Sequence, residues 1–435
     1  MMGRSFFRAV NAALRSSSTN AIWRSADAPC YLAFAALFAL AVGDLRAGDA
    51  FSSSLVPSPD TRVARAIRPW IESGELPGAV SILCASGKTE VTCAGWADVA
   101  AKRLISLDDI FMQCSQTKGF CGVTAAILVE EGRLSLDDPV SKYLPEFATL
   151  WVKTSETNDM LVCRKAKTPL TVRMCLNHTG GFPFSIPAKS PLLPGGGWSG
   201  GMPLRSAAAT AASQPLLFEP GTSGKYSNTG IDVAAAVVQT VCGMPWERFL
   251  QERVLDPLGM TATGFKPTKE QISGQMHLYE CHANAPATWK RQHGQMQRPY
   301  DGDHVFPSAG AGLWTTARDQ VKFYRMLMNG GVGDNGARIL EEKTVRDLLA
   351  TPSRPNGDYS LGFNAPPGGK GWFGHGGAWG TNCQVDMDGK RLKLWVVQLN
   401  GGPRPWDKAR AAAEDDFFQE NIDRADENAY TGRTE

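Results

Sequence analysis

Apolar and polar positions divide the chain of 435 residues into stretches of different period. Residues 61–74 read as a helix ending at Gly74. Gly78–Ala85 and Glu90–Ala97 read as two strands joined through Ser-Gly-Lys into a hairpin. Val123–Glu130 is Val-Thr-Ala-Ala-Ile-Leu-Val-Glu, the composition of a buried helix. Short helical patterns cover Thr171–Leu176, Ser206–Gln214, Ile231–Val241 and Pro245–Val254, the last stopped by Asp256-Pro257-Leu258-Gly259. Trp314–Asn329 predicts a strong helix, with Thr315 or Thr316 as N-cap and Gly330-Gly331 beyond its end. Glu341–Ala350 predicts another. The last third changes character: Gly371–Gly380, Thr381–Met387 and Arg391–Leu399 read as strands, and Arg404–Ile422 as a closing helix. Residues 266–305 are polar and poorly periodic. Residues 183–205, dense in Pro and Gly, read as a loop bordering a cleft.

Strands therefore occur early and late, with helices between them. The economical fold is α+β. A mixed lobe of about residues 61–114 and 351–422 joins a mostly helical lobe of about residues 115–350, with a cleft between them.

The ends differ from the middle. Arg4, Arg8, Arg15 and Arg24 precede any acidic residue, and the apolar run Cys30–Val42 follows, with Gly43, Ala47 and Gly48 after it. That pattern predicts a signal peptide or N-terminal anchor over residues 1–47 and a linker over 48–60. Export to the periplasm or medium is the expectation, with membrane association only through an uncleaved N-terminal segment. Cys30 precedes the apolar run, which argues against a lipidated cysteine. A polar tail, residues 423–435, is expected to be disordered.

Composition narrows the function. Hydrophobic residues make up 43% and charged residues 20%, and the formal net charge is +2. Nothing there calls for nucleic acid or an acidic polymer. Nine cysteines remain after Cys30, without a CxxC. Cys84 and Cys93, on the two hairpin strands, are the expected pair if any forms; the others read as buried thiols.

Candidate chemistry begins at Ser115-Gln116-Thr117-Lys118, before the buried helix. Positions three apart share a helix face, so Lys118 stands beside Ser115. A serine hydroxyl needs a nearby base, and an amine whose pKa is lowered by its site can serve. The tetrapeptide alone better describes an N-cap serine with a solvated lysine one turn on. Two further segments change the balance. Gly224-Lys225-Tyr226-Ser227-Asn228-Thr229-Gly230 offers a phenol for proton relay and an amide for substrate orientation. Phe373-Gly374-His375-Gly376-Gly377-Ala378-Trp379-Gly380 is a strand whose glycines allow another chain or ligand to lie close.

Ser115-x-x-Lys118, Tyr226-x-Asn228 and His375-x-Gly377, in that order, resemble the β-lactamase-related serine hydrolases: class C β-lactamases, D,D-peptidases and family VIII esterases. Leu176-Asn-His-Thr-Gly-Gly-Phe182, Glu219-Pro-Gly through Tyr226-Ser-Asn-Thr-Gly230, Leu255-Asp-Pro-Leu-Gly-Met260 and Ala309-Gly-Ala-Gly-Leu-Trp-Thr-Thr-Ala-Arg-Asp319 also resemble family patterns. Together these matches span most of residues 60–400.

The resemblance implies a β-lactamase/penicillin-binding-protein transpeptidase-like fold with an antiparallel sheet. It implies Ser115 as nucleophile and a proton-transfer pair of Lys118 and Tyr226. Asn228 would hold the acyl side of the substrate, and His375 and Gly377 would border the site. The backbone N–H groups of Ser115 and Ala378 would form an oxyanion hole. No cofactor or metal is implied, and the expected partner is a small ester or amide substrate.

One departure matters. β-Lactamases and penicillin-binding proteins usually carry Lys-Thr-Gly or Lys-Ser-Gly where this chain has His375-Gly376-Gly377. That lysine supplies positive charge for the ligand's carboxylate. Its replacement favours an ester or amide substrate lacking that carboxylate. A β-lactamase or D,D-carboxypeptidase is the second expectation, a transesterase using the same acyl-enzyme a third. A non-catalytic ligand- or peptidoglycan-binding relative is the alternative of another class. His277, His282, His293 and His304, near Cys281, Asp301 and Asp303, lack metal-ligand spacing and read as a polar surface loop.

Overall fold

The computed structural model describes residues 51, 54–157, 160–185, 203–282, 285–291, 306–354, 357–400 and 404–431. The predicted leader lies outside them, as do most of the Pro/Gly-rich loop and His293, Asp301, Asp303 and His304. His277 is described, beside Asp98 at 3.3 Å.

Helix α1 (Arg62–Glu72) opens the fold, capped by the Thr61 side chain. Strands β1 (Gly78–Ala85) and β2 (Lys88–Asp98) form the expected hairpin. Their turn is two residues, Ser86-Gly87, with φ of 49° and 74°. Positive φ at both positions matches the right-handed strand twist. A short β3 (Arg103–Leu104) follows, then β4 (Phe111–Met112), the turn Cys114–Gln116 and helix α2 (Thr117–Glu130). From the other end come β10 (Phe373–Gly377), β11 (Thr381–Asp386) and β12 (Arg391–Val396). They complete a six-stranded sheet in the order β10-β11-β12-β1-β2-β3, antiparallel at every junction.

That sheet is covered on both faces. Every residue of β1 is buried, as a central strand sandwiched between layers requires. One face packs α1 and the closing helix (Trp406–Thr431) through Val63, Ile67, Leu83, Trp395, Trp406 and Phe417. That helix was expected to stop at Ile422. The other face meets the large core, in which α2 is buried from Thr117 through Leu128. A helix apolar all round must be enclosed, and Phe120 of α2 stacks on Phe323 with ring centroids 3.7 Å apart.

The structure departs from the sequence reading at several points. Cys84 and Cys93 are free thiols. Cys84 pairs in register with Thr89 and Cys93 with Val80, so a tight two-residue turn leaves the sulfurs several residues out of step. Trp314–Thr315 is a strand (β9) pairing with β4, so the helix starts at Ala317, with Thr316 accepting a cap bond from the Asp319 N–H. Residues 151–165, given no element from the sequence, form a hairpin of β5 (Trp151–Glu156) and β6 (Leu161–Lys165). It is largely exposed, so neither strand carries a core-facing alternation. Strands β7 (Tyr279–His282) and β8 (Ala285–Arg291) likewise fall within the stretch that reads as aperiodic. Among the described residues no helix is long and apolar enough to cross a membrane.

Candidate active site

The turn Cys114–Gln116 delivers Ser115 directly before α2. Cys114 sits at φ 52°, a strained left-handed position. Ser115 keeps partial solvent exposure while Cys114, Gln116, Thr117 and Lys118 are buried. The hydroxyl is thus offered outward from a rigid base.

Lys118, one turn on, is fully buried. Its Nζ donates to Ser115 Oγ at 3.1 Å, to Asn228 Oδ1 at 2.6 Å and to the Gly310 carbonyl at 2.5 Å. It also lies 4.6 Å from the centre of the Tyr226 ring. Burial drives its pKa down to about 7, opposed by the Asp232 carboxylate. Loss of solvent disfavours the ammonium more than the anion favours it.

Tyr226 comes from the turn before helix α5 (Asn228–Cys242), numbered after the short helices Val172–Leu176 (α3) and Leu204–Ala212 (α4), and Asn228 is the first residue of α5. Ser227, not Asn228, caps that helix, accepting from the Gly230 N–H at 3.1 Å. The amide of Asn228 is therefore free to face Lys118. Burial pushes the Tyr226 phenol up to about 12 despite a hydrogen bond with Ser115, so the phenol is protonated at neutral pH.

His375 lies on β10, the edge strand of the main sheet. Its Nδ1 meets the Gly376 carbonyl, and its Nε2 is 2.9 Å from Tyr359 Oη. A carbonyl only accepts, so Nδ1 carries the proton and Nε2 accepts from the tyrosine. Burial, with Lys118 adding to it, drives the pKa of His375 down to about 3. The imidazole is neutral at physiological pH. Tyr226 Oη is 3.5 Å from the same Nε2, a weak approach.

Gly377 allows this strand to reach the serine turn. A Cβ there would collide with Thr381 Oγ1 and the Gln113 carbonyl oxygen. Thr381 Oγ1 donates to that carbonyl at 3.2 Å, tying β11 to the residue two before Ser115. Ala378 follows at the end of β10, exposed.

All seven residues singled out from the sequence thus fall in one neighbourhood: Lys118 bonds Ser115 and Asn228, Tyr226 and His375 adjoin them, and Gly377 and Ala378 close the strand beside the serine turn. Several partners had no individual role in the sequence reading. His178, at φ 65°, packs its ring 4.4 Å from Tyr226 and 4.5 Å from Tyr359 and accepts from the Ser227 N–H at 3.2 Å. Gly310 supplies a carbonyl to Lys118, and Asp232 lies one helical turn beyond Asn228. The Asn228–Asp232 spacing of four was the available signal for the latter.

Residues 63–416 match the family model described as Beta-lactamase. Protein Rv1367c of Mycobacterium tuberculosis (strain ATCC 25618 / H37Rv) is 28% identical over 368 residues, covering 76% of this chain and 88% of the relative. The structure of EstCE1, described as a hydrolase with promiscuous acyltransferase activity, superposes with a TM-score of 0.65 at 23% identity, covering 81% of this chain and 97% of that one. The LovD6 mutant of simvastatin synthase from Aspergillus terreus gives 0.66 at 22% identity, covering 86% and 98%. These structural likenesses establish a β-lactamase/transpeptidase-like fold. With the family model matched across most of its length, the chain belongs to the beta-lactamase family.

Proposed function

We propose that the chain is a serine hydrolase that works through an acyl-enzyme on a small ester or amide lacking a recognition carboxylate. The observation that carries this reading is the buried Lys118 amine, 3.1 Å from Ser115 Oγ, where burial drives its pKa down to about 7. At neutral pH a large share of it is free base, able to take the serine proton as Oγ attacks the substrate carbonyl.

Tyr226, held protonated, is suited to give a proton to the leaving group, which Lys118 then replaces. Attack would put negative charge on the carbonyl oxygen, and the backbone N–H groups of Ser115 and Ala378 are the proposed donors for it. Asn228 would orient the acyl side. Water then attacks the acyl-enzyme, Lys118 again accepts a proton, and the acid leaves with Ser115 regenerated. An alcohol or amine in place of water gives acyl transfer. The descriptions of EstCE1 as a hydrolase with acyltransferase activity and of LovD as a synthase support keeping both outcomes open to this site.

The neutral His375 separates this reading from β-lactam or D,D-peptidase chemistry. Where relatives are expected to present a fixed cation, this strand presents an imidazole buried and bonded to Tyr359. The proposed location remains the exported one that the N-terminal sequence suggests. The test is turnover of p-nitrophenyl acyl esters beside a chromogenic cephalosporin, with Ser115→Ala as control. Ester hydrolysis lost in the variant supports the reading. Cephalosporin turnover at comparable kcat/KM moves it to β-lactamase, and no turnover of either substrate moves it to a binding protein.

A further inference from the structure

Asp232 stands behind the site, and the proposed mechanism does not use it. Its Oδ1 accepts from Ser308 Oγ and from the Gly310 N–H, each at 3.1 Å, and its Oδ2 is 3.3 Å from the same serine hydroxyl. Ser308 Oγ lies 3.2 Å from the Gly310 N–H, closing the group. Gly310 in turn gives its carbonyl to Lys118. The turn lies so close to α5 that a Cβ on Gly310 would sit 2.7 Å from the Asn228 Cβ. Asp232 and Asn228 are one helical turn apart on α5. One therefore holds the Gly310 turn by its N–H, and the other meets the same lysine that the turn's carbonyl meets.

We infer that Asp232 is a positioning residue for Lys118: by latching the Ser308–Gly310 turn it fixes two of the lysine's three acceptors relative to each other, leaving the third direction for Ser115. The inference rests on the reading of Lys118 as the base. A lysine amine has a mobile stem and needs fixed partners to hold one geometry. Asn228 and Gly310 provide them only while the turn stays against α5.

The carboxylate also acts through space. The groups facing Lys118 are Asp232, Cys114 and Cys121, with Tyr226, His178 and His375 across the site. Asp232 is foremost among those favouring the ammonium. Its own pKa is raised to about 7 by loss of solvent, against hydrogen bonds from the turn and the charge of Lys118. Removing the charge but not the acceptor should make Lys118 less basic without moving it.

The experiment is fluorophosphonate labelling of Ser115 against pH in three variants, with near-UV circular dichroism to confirm folding. Asp232→Asn keeps a carbonyl oxygen for the turn. The acidic limb should move down by about one pH unit while the plateau rate stays within about threefold. Ser308→Ala leaves the charge, so the limb should stay. Asp232→Ala releases the turn, and the plateau should fall by roughly 10- to 100-fold through misplacement of the base. An unmoved limb in Asp232→Asn, or an undiminished plateau in Asp232→Ala, overturns the inference. A readout independent of serine chemistry is the ¹³C NMR titration of the lysine ε-carbons, with Lys118→Arg for assignment. If wild-type Ser115 takes no label, the acyl-enzyme reading fails and this titration decides. A lower Lys118 midpoint in Asp232→Asn upholds the role of Asp232, and an unchanged midpoint refutes it.

Discussion

The environment of Lys118 makes a quantitative prediction about pH. Its pKa falls from 10.5 to about 7, which corresponds to roughly 5 kcal/mol of preference for the neutral amine. At pH 7.5 an ordinary lysine is free base in only about one molecule in a thousand, and one titrating near 7 in roughly three of four. Burial thus raises the usable base by about three orders of magnitude. Acylation of Ser115 needs the neutral amine, so the rate should climb with pH, tenfold per unit, and level off above about 7. Tyr226, raised to about 12, stays protonated across that range and adds no alkaline limb below pH 10. The assay is the second-order rate of fluorophosphonate labelling from pH 5 to pH 10. Lys118→Ala should lower the plateau by about 10²- to 10⁴-fold. Lys118→Arg should not restore it, because guanidinium does not deprotonate. A midpoint near 10, or a rate flat with pH, would refute the claim that burial of Lys118 creates the base.

Other consequences follow from the same contacts. Gly377→Ala should drive β10 away from the Gln113 carbonyl and cut Ser115 labelling by roughly 10²-fold; labelling at the wild-type rate would show that the strand does not need that approach. Tyr359→Phe removes the hydroxyl that donates to His375 Nε2 and should cost about 1–3 kcal/mol in urea unfolding; an unchanged midpoint would place that bond elsewhere. His375 has a folded pKa of about 3, well below the usual 6.5. As pH falls below 6.5 the unfolded chain takes the proton first, so this contribution is present above about 6.5 and lost toward 3. Between pH 7 and pH 5 wild type should lose about 2 kcal/mol relative to His375→Gln; equal losses in both proteins would contradict a buried neutral imidazole.

The fold was most legible where burial imposes a period or leaves an unbroken apolar run. The β1–β2 hairpin, α5 and the late strands match their expected limits closely for that reason, whereas α2 begins at Thr117, well before the apolar run Val123–Glu130 that marks it. The β5–β6 hairpin escaped because most of its side chains face solvent, as at Glu156, Met160 and Leu161. Trp314–Thr315 lies within the span expected to be helical, and only its pairing with β4 makes it a strand. Cys84 and Cys93 looked like partners because a hairpin brings its strands together, yet register depends on turn length, and the two-residue turn sets them apart. In the site, Ser115, Lys118, Tyr226 and Asn228 were grouped by the order and spacing of their motifs and the family resemblance these carry, not by residue type alone. Asp232, Gly310 and Tyr359 act through contacts between segments distant in the chain, as in the Gly310–Lys118 bond. The neutrality of His375 likewise depends on its burial and on the nearby Lys118, which outweigh the Gly376 carbonyl and which sequence spacing does not encode.

The central claim is that Ser115 is a nucleophile activated by Lys118. Its most direct test is intact-mass analysis of the folded protein after fluorophosphonate treatment, with peptide mapping of the adduct and Ser115→Ala alongside. The account predicts one adduct per chain, on Ser115, and none in the variant. No adduct on folded wild type, or an adduct that survives Ser115→Ala, would contradict it.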